Sequence, residues 1–150
     1  LYGLVKCYTK LFILGLGVFV KQKWELKMKN ILIVDDSATM RRMVKVSLRS
    51  LKNATFDEAG NGLEALERLA LTPIDLMILD LNMPDMHGIE VLKFVRGHRT
   101  FYSVPVIVLT TRSDDENRKA TLEAGASQYL TKPFEPKVLF QHVQEFLESK

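Results

Sequence analysis

The chain has 150 residues, 47% of them hydrophobic and 26% charged. That is enough for one ordinary core, with no second block of strands and helices that would need another. Its net charge of +3 is unevenly placed, +5 in residues 1–29 and −2 in residues 30–150, so the basic excess is no argument for a nucleic-acid-binding fold. Cys7 is the single cysteine, which excludes an intrachain disulfide, fits a reducing compartment and, with no His or Cys beside it, argues against thiol chemistry.

Residues 1–29 read as an N-terminal extension. Leu11–Val20 is apolar throughout between Lys10 and Lys21, about half of the roughly 20 residues that span a bilayer. The following Lys21-Gln22-Lys23-Trp24 offers no small-residue cleavage site. Gly15-Leu16-Gly17 is not completed into a dinucleotide fingerprint, because position 20 is Val. Two readings fit: sequence upstream of a native start at Met28, or a genuine tail whose apolar centre docks on a partner or a membrane surface. Membrane contact is expected only on the second.

From residue 30 onward, strand and helix signals alternate five times. Asn30–Val34 is the first strand. Ser37 can cap a helix whose apolar side carries Met40, Met43, Val44, Val46, Leu48 and Leu51, beside Arg41, Arg42, Lys45 and Arg49. Ala54–Ala59, more polar, is a strand suited to a sheet edge. Asn61-Gly62 opens a helix to about Leu71, with Leu63, Leu66, Leu69 and Ala70 inward and Thr72-Pro73 as its stop. Asp75–Leu79 is the third strand, and the loop Asn82-Met83-Pro84-Asp85 leads to a helix from Gly88 to Arg96. Val104–Leu109 is the fourth strand; Asp114-Asp115-Glu116 places negative charge at the start of a helix ending near Ala124-Gly125. Ser127–Leu130 is a short fifth strand, and a last helix from Phe134 to about Glu148 turns Val138, Leu139, Val143, Phe146 and Leu147 inward. Five such units call for right-handed crossovers and an open, doubly wound α/β sheet.

The strand ends carry the chemistry. Ile31–Val34 runs into Asp35-Asp36, Leu76–Leu79 into Asp80, Val106–Leu109 into Thr110, and Tyr129-Leu130 stops shortly before Lys132-Pro133. Sheets covered on both faces place ligand sites at the C-terminal ends of their strands, so three carboxylates, a hydroxyl and an ammonium are expected at one edge. Each residue alone has a plainer reading. Asp80 would cap a turn, Lys132 would be a solvated lysine, Thr110 a β-branched strand residue and Tyr129 a half-buried aromatic.

Taken together, Ile-Leu-Ile-Val-Asp35-Asp36-Ser, Leu-Asp80-Leu-Asn-Met-Pro84-Asp-Met-His-Gly88, Leu-Thr110-Thr and Tyr129-Leu-Thr-Lys132-Pro133-Phe resemble the receiver domain of two-component response regulators. The resemblance covers residues 30–150 and implies the CheY-like, flavodoxin-like fold, a five-stranded parallel sheet of order 2-1-3-4-5 flanked by five helices. It implies Asp80 as acceptor of a phosphoryl group from a histidine kinase or a small acyl phosphate. It also implies Mg²⁺ as cofactor, held by Asp36 and Asp80, with Asp35 helping through water and the backbone carbonyl of Asn82 completing the protein ligands. The physics agrees. Crowded carboxylates in a poorly solvated pocket need a cation or a proton, an all-oxygen set suits Mg²⁺, and no His or Cys cluster argues for zinc.

By the same resemblance the Lys132-Pro133 bond is cis and Lys132 neutralises charge on the transferring oxygens. Thr110 and Tyr129 form the switch that relays a charge change at Asp80 to the surface of the fourth helix, fifth strand and fifth helix. Arg112 and Asn82 occupy positions that tune phosphoryl lifetime. Thr111 departs from the family, which usually has a very small residue there, so donor access is expected to be narrower. His87, His98 and His142 read as surface or helix residues.

The function expected is that of a cytoplasmic, single-domain response regulator, not an enzyme, since the sequence in hand ends after the fifth helix. Its partners would be a sensor histidine kinase or phosphotransfer protein and a downstream target protein, with no nucleic acid. A phosphorelay carrier is the alternative. A Mg²⁺-dependent phosphatase with an aspartyl nucleophile fits less well, because its Asp-x-Asp motif is here Asp80-Leu81-Asn82. A docking protein indifferent to phosphorylation would have no use for Asp36, Asp80, Thr110 and Lys132 together.

Overall fold

The computed structural model describes residues 27–84, 86–111 and 114–149. Cys7, the apolar Leu11–Val20, Asp85 and Arg112 lie outside them. Among the described residues the elements are β1 (Lys29–Val34), α1 (Ala38–Ser47), β2 (Ala54–Ala59), α2 (Gly62–Leu71), β3 (Leu76–Leu79), α3 (Gly88–Gly97), β4 (Val106–Thr110), α4 (Asp115–Glu123), β5 (Gln128–Thr131) and α5 (Pro136–Glu148). All strand pairs are parallel and the order is β2-β1-β3-β4-β5, which puts the polar β2 at an edge, as its composition suggested.

Alternation along each central strand builds two cores from one sequence run. Leu32 and Val34 of β1, Met77 and Leu79 of β3, and Val106 and Val108 of β4 pack on one face with α2 and α3. Ile31, Ile33, Leu76, Ile78, Ile107 and Leu109 pack on the other with α1 and α5. These side chains are at most 2% exposed, and burying each contributes about 1.5–3 kcal/mol.

The helix starts follow their caps. Ser37 Oγ accepts from Met40 N at 3.3 Å, Asn61 Oδ1 from Glu64 N at 2.9 Å and Asp114 Oδ1 from Asn117 N at 2.9 Å. Several expectations are corrected. In α2 the buried residues are Gly62, Ala65 and Leu69, whereas Leu63 is 62% exposed and Ala70 is exposed. Two positions along a helix turn a side chain about 200°, so once Ala65 faces the sheet Leu63 faces water. In α1 only Val44 is buried within the helix, followed by Leu48 just beyond it, while Met43 and Val46 are more than half exposed. β4 starts at Val106 because Pro105 has no N–H to pair. α5 starts at Pro136 instead of Phe134, with Glu135 as its N-cap. β3 starts one residue late, at Leu76; Asp75 before it ties the entries of two strands, its N–H donating to the Asn30 carbonyl at 2.8 Å and its carboxylate accepting from Asn30 N at 2.9 Å.

Arg96, at the end of α3, ties the loops below β4 and β5. Its guanidinium donates to the carbonyls of Gly125 (2.7 Å), Val104 (2.8 Å) and Tyr102 (3.0 Å), and burial pushes its pKa down. Gly125 has φ +102°, and a Cβ there would lie 2.8 Å from the Arg96 stem, so the turn into β5 requires glycine.

Gly88 is constrained by backbone. A Cβ on it would lie 2.1 Å from the Asp80 carbonyl oxygen, so the start of α3 folds back onto the end of β3 only because no side chain intervenes. We expect Gly88→Ala to destabilise the fold by about 2 kcal/mol or more, read as a lower urea midpoint.

Candidate functional site

Parallel register gathers the site. Val34 pairs with Leu79 and Leu79 with Val108, and Asp80 N donates to the Val34 carbonyl at 2.9 Å, so Asp35 and Asp80 leave adjacent strands at one level. On the other side Thr110 pairs with Thr131 and Lys132 N donates to the Thr110 carbonyl at 2.8 Å. The acids, the hydroxyl and the lysine thus meet at the C-terminal edge of the sheet.

Asp35 and Asp80 are 5% and 4% exposed. The Lys132 ammonium reaches across the edge, its Nζ 2.6 Å from Asp35 Oδ2 and 3.3 Å from Asp80 Oδ2; its bond to Pro133 is cis. The second oxygen of Asp35 accepts from Ser37 N at 2.8 Å, and that of Asp80 from Asn82 N at 3.2 Å. Asp36, the next residue along, is exposed and takes no hydrogen bond or ion pair among the described residues. One ligating oxygen from each of Asp35, Asp36 and Asp80 falls within 4.8 Å of the others.

Burial pushes the Asp80 carboxyl above the usual carboxylate range, Asp35 adds to the push, and the Asn82 N–H and Lys132 counter it. One ammonium thus serves two buried carboxylates, with a third carboxylate beside them. This set fits a hard divalent cation. Its donors are all oxygen, the charge is unbalanced without it, and the Asp36 carboxylate is open to ligation.

The β4 side is hydroxyl-rich. Thr110 is fully buried, and the Asn82 side-chain amide donates to Thr110 Oγ1 at 3.0 Å and to Thr111 Oγ1 at 2.7 Å. Tyr129 is 5% exposed and belongs to the core on the α2–α3 face together with Val108 and Ala126. Its ring is thus already inward while Thr110 is engaged by Asn82.

Sequence reasoning placed Asp35, Asp36, Asp80, Thr110, Tyr129 and Lys132 at strand ends and missed what holds them. Arg41, read only as part of the polar side of α1, donates Nη1 to the Asp35 carbonyl at 2.7 Å and Nε to Glu58 Oε2 at 2.9 Å. Glu58 also pairs with Lys45, and Lys45 first, then Arg41, holds its carboxyl below the usual range. An Arg in the first turn of a helix after an acidic strand end was the available signal. His87 and His98 lie outside the site and are exposed. His142 is half-buried on α5 near Gln128.

A family profile for the response regulator receiver domain matches residues 31–144. The chain belongs to the response regulator receiver family. This receiver is 39% identical over 118 residues to chemotaxis protein CheY1 of Helicobacter pylori, covering 78% of this chain and 95% of that protein. It is 37% identical over 118 residues to a chemotaxis protein CheY homolog of Campylobacter jejuni, covering 78% of this chain and 91% of that one. The solved structure of Vibrio cholerae chemotaxis protein CheY4 superposes with a TM-score of 0.73 at 35% identity, covering 80% of this chain and 99% of that chain. The chain is accordingly a CheY-type receiver of two-component signalling, a regulator and not a turnover enzyme of the ordinary kind. Among the described residues no helix is long and apolar enough to cross a membrane.

The raised pKa of Asp80 fixes the sign of its effect on stability. A carboxyl that ionises less readily folded than unfolded opposes folding once charged; the favourable contribution exists below the unfolded pKa and is lost as pH rises through the folded one. At neutral pH with metal chelated, Asp80→Asn is expected to stabilise the receiver, since asparagine has no charge to bury and Lys132 keeps Asp35 as its partner. Urea unfolding of both proteins checks this.

Proposed function

We propose that Asp80 of this receiver accepts a phosphoryl group from a histidine kinase or a phosphotransfer protein and that the modification switches binding to a downstream protein. The observation that carries the reading is the Asp80 carboxylate itself, buried, with one oxygen on Lys132 and two further carboxylates within ligand distance. An isolated buried acid would be a liability; one placed so is a nucleophile whose product charge is already provided for.

A carboxylate oxygen of Asp80 attacks phosphorus in line, and the P–N bond to the donor imidazole breaks with its electron pair leaving on nitrogen. Lys132, 3.3 Å from Asp80 Oδ2, lies close enough to neutralise an oxygen of the transferring group. Asp36 and Asp80, the Asn82 backbone carbonyl and, through water, Asp35 would hold Mg²⁺. Its contribution when bound is charge neutralisation on the phosphoryl oxygens. Arg41 keeps the Asp35 turn in place from the β2 side.

After transfer the Thr110 hydroxyl turns toward the new phosphoryl oxygens and draws the loop after β4 with it. The change passes through Thr110 and Tyr129 to the α4–β5–α5 surface, where the target binds. α4 suits this role, since Thr121 is its buried residue among the described ones. Chemotaxis proteins among the relatives support a cytoplasmic regulator of that kind. A phosphorelay carrier uses the same chemistry with a second histidine as acceptor. The phosphatase reading has less support, because the residue two beyond Asp80 is an amide committed to Thr110 and Thr111. The receiver unit itself is read as residues 30–150, with residues 1–29 an extension.

Incubation with Mg²⁺ and a small acyl phosphate, followed by intact-mass analysis, is expected to give a single phosphoryl adduct on the wild type and none on Asp80→Asn. An adduct on both proteins would refute the assignment.

A further inference from the structure

The side chain of Asn82 has a task that the phosphoacceptor reading does not use. Its backbone N–H is fixed to Asp80 Oδ1 at 3.2 Å, so the residue sits directly beside the acceptor carboxylate. From there its amide spans to the neighbouring strand, donating one N–H to Thr110 and the other to Thr111. Both donors of the amide are consumed. The bond to Thr111, at 2.7 Å, is the shorter of the two, and it ties the loop after β3 to the first residue beyond β4.

We propose that this Asn82 amide is a resting-state bar across the β4 side of the Asp80 pocket, and that the Thr111 hydroxyl is the positioning group that keeps it closed. The inference rests on Asp80 being the phosphoacceptor. A phosphoryl group arriving on Asp80 needs room beside the carboxylate and needs Thr110 to turn toward it. The amide occupies that side and holds Thr110 toward itself. Thr111 can be released at little structural cost, because it is exposed, whereas Thr110 is fully buried. Opening the bar therefore begins at Thr111. Tyr129 is already inward, so the hydroxyl pair, not the aromatic, is the part of the switch held back.

The test is the rate of phosphoryl adduct formation with a small acyl phosphate at saturating Mg²⁺, followed by intact mass for wild type, Thr111→Val, Thr111→Ala and Thr111→Ser. Valine keeps the shape of threonine and lacks the hydroxyl; serine keeps the hydroxyl. One neutral hydrogen bond governs the closed state, so Thr111→Val and Thr111→Ala are expected to react about three- to ten-fold faster, with Thr111→Ser close to wild type. A direct readout accompanies it. In Thr111→Val the Asn82 side-chain amide protons should exchange with solvent faster by NMR, before any phosphoryl donor is added. Equal rates for wild type and Thr111→Val would overturn the proposal, as would acceleration by alanine but not valine, which would make bulk the barrier. If Asp80→Asn still takes the adduct, the acceptor reading fails. If Asp80→Asn takes none and the Thr111 variants match wild type, the bar alone fails.

Discussion

The structure turns on one ammonium shared between two buried carboxylates. Lys132 and Asp35 are 97 residues apart in the chain and 2.6 Å apart in space, and the same Nζ lies 3.3 Å from Asp80. The order of four strands has to be correct for that contact to exist. β1 and β3 must be neighbours, β4 must follow β3, and β5 must end level with β4. The contact is also incomplete as a charge balance, since one lysine serves two buried acids and a third, Asp36, lies beside them. The imbalance suits the edge to a divalent cation and is what the proposed phosphoryl transfer would draw on. A fully paired cluster would be inert, and an unpaired one would not stay buried.

Around that contact the scaffold acts on loops. Arg41 holds the Asp35 turn from the β2 side. Gly88 lets α3 begin against the Asp80 carbonyl, and Asn82 fastens the loop after β3 to both Asp80 and the end of β4. At the opposite edge Arg96 gathers three loop carbonyls. The Arg96 end carries neutral acceptors for a half-buried cation and is finished as it stands. The acid end is left open, with Asp36 exposed beside two buried acids.

Much of this was legible in the residues. Fully apolar runs announced strands covered on both faces, and the side chain after each run named the chemistry. Where reading by pattern failed, the cause was specific. Leu63, Met43 and Val46 looked inward because a helix surface offers several apolar stripes, and the choice among them is made by what fits against the sheet; at α2 that was Ala65. The resemblance gave Asp35 and Asp36 different parts in holding a metal, but which of them Lys132 meets was not visible until β1 set Asp35 inside and Asp36 outside. Arg41 and Glu58 have unremarkable neighbours in the chain and meet only because β1 and β2 are paired.

The sequence by itself determined the element order, the α/β class and which polar side chains stand at the strand ends, because periodicity, caps and the residue after each apolar run are local and repeat every few residues. Tertiary structure alone decided how those groups share charge and hydrogen bonds: which acid Lys132 meets, which hydroxyls Asn82 takes, and which helix faces are wet. Those outcomes depend on distances between strands and loops remote in sequence, and a local pattern carries no information about them until the sheet is assembled.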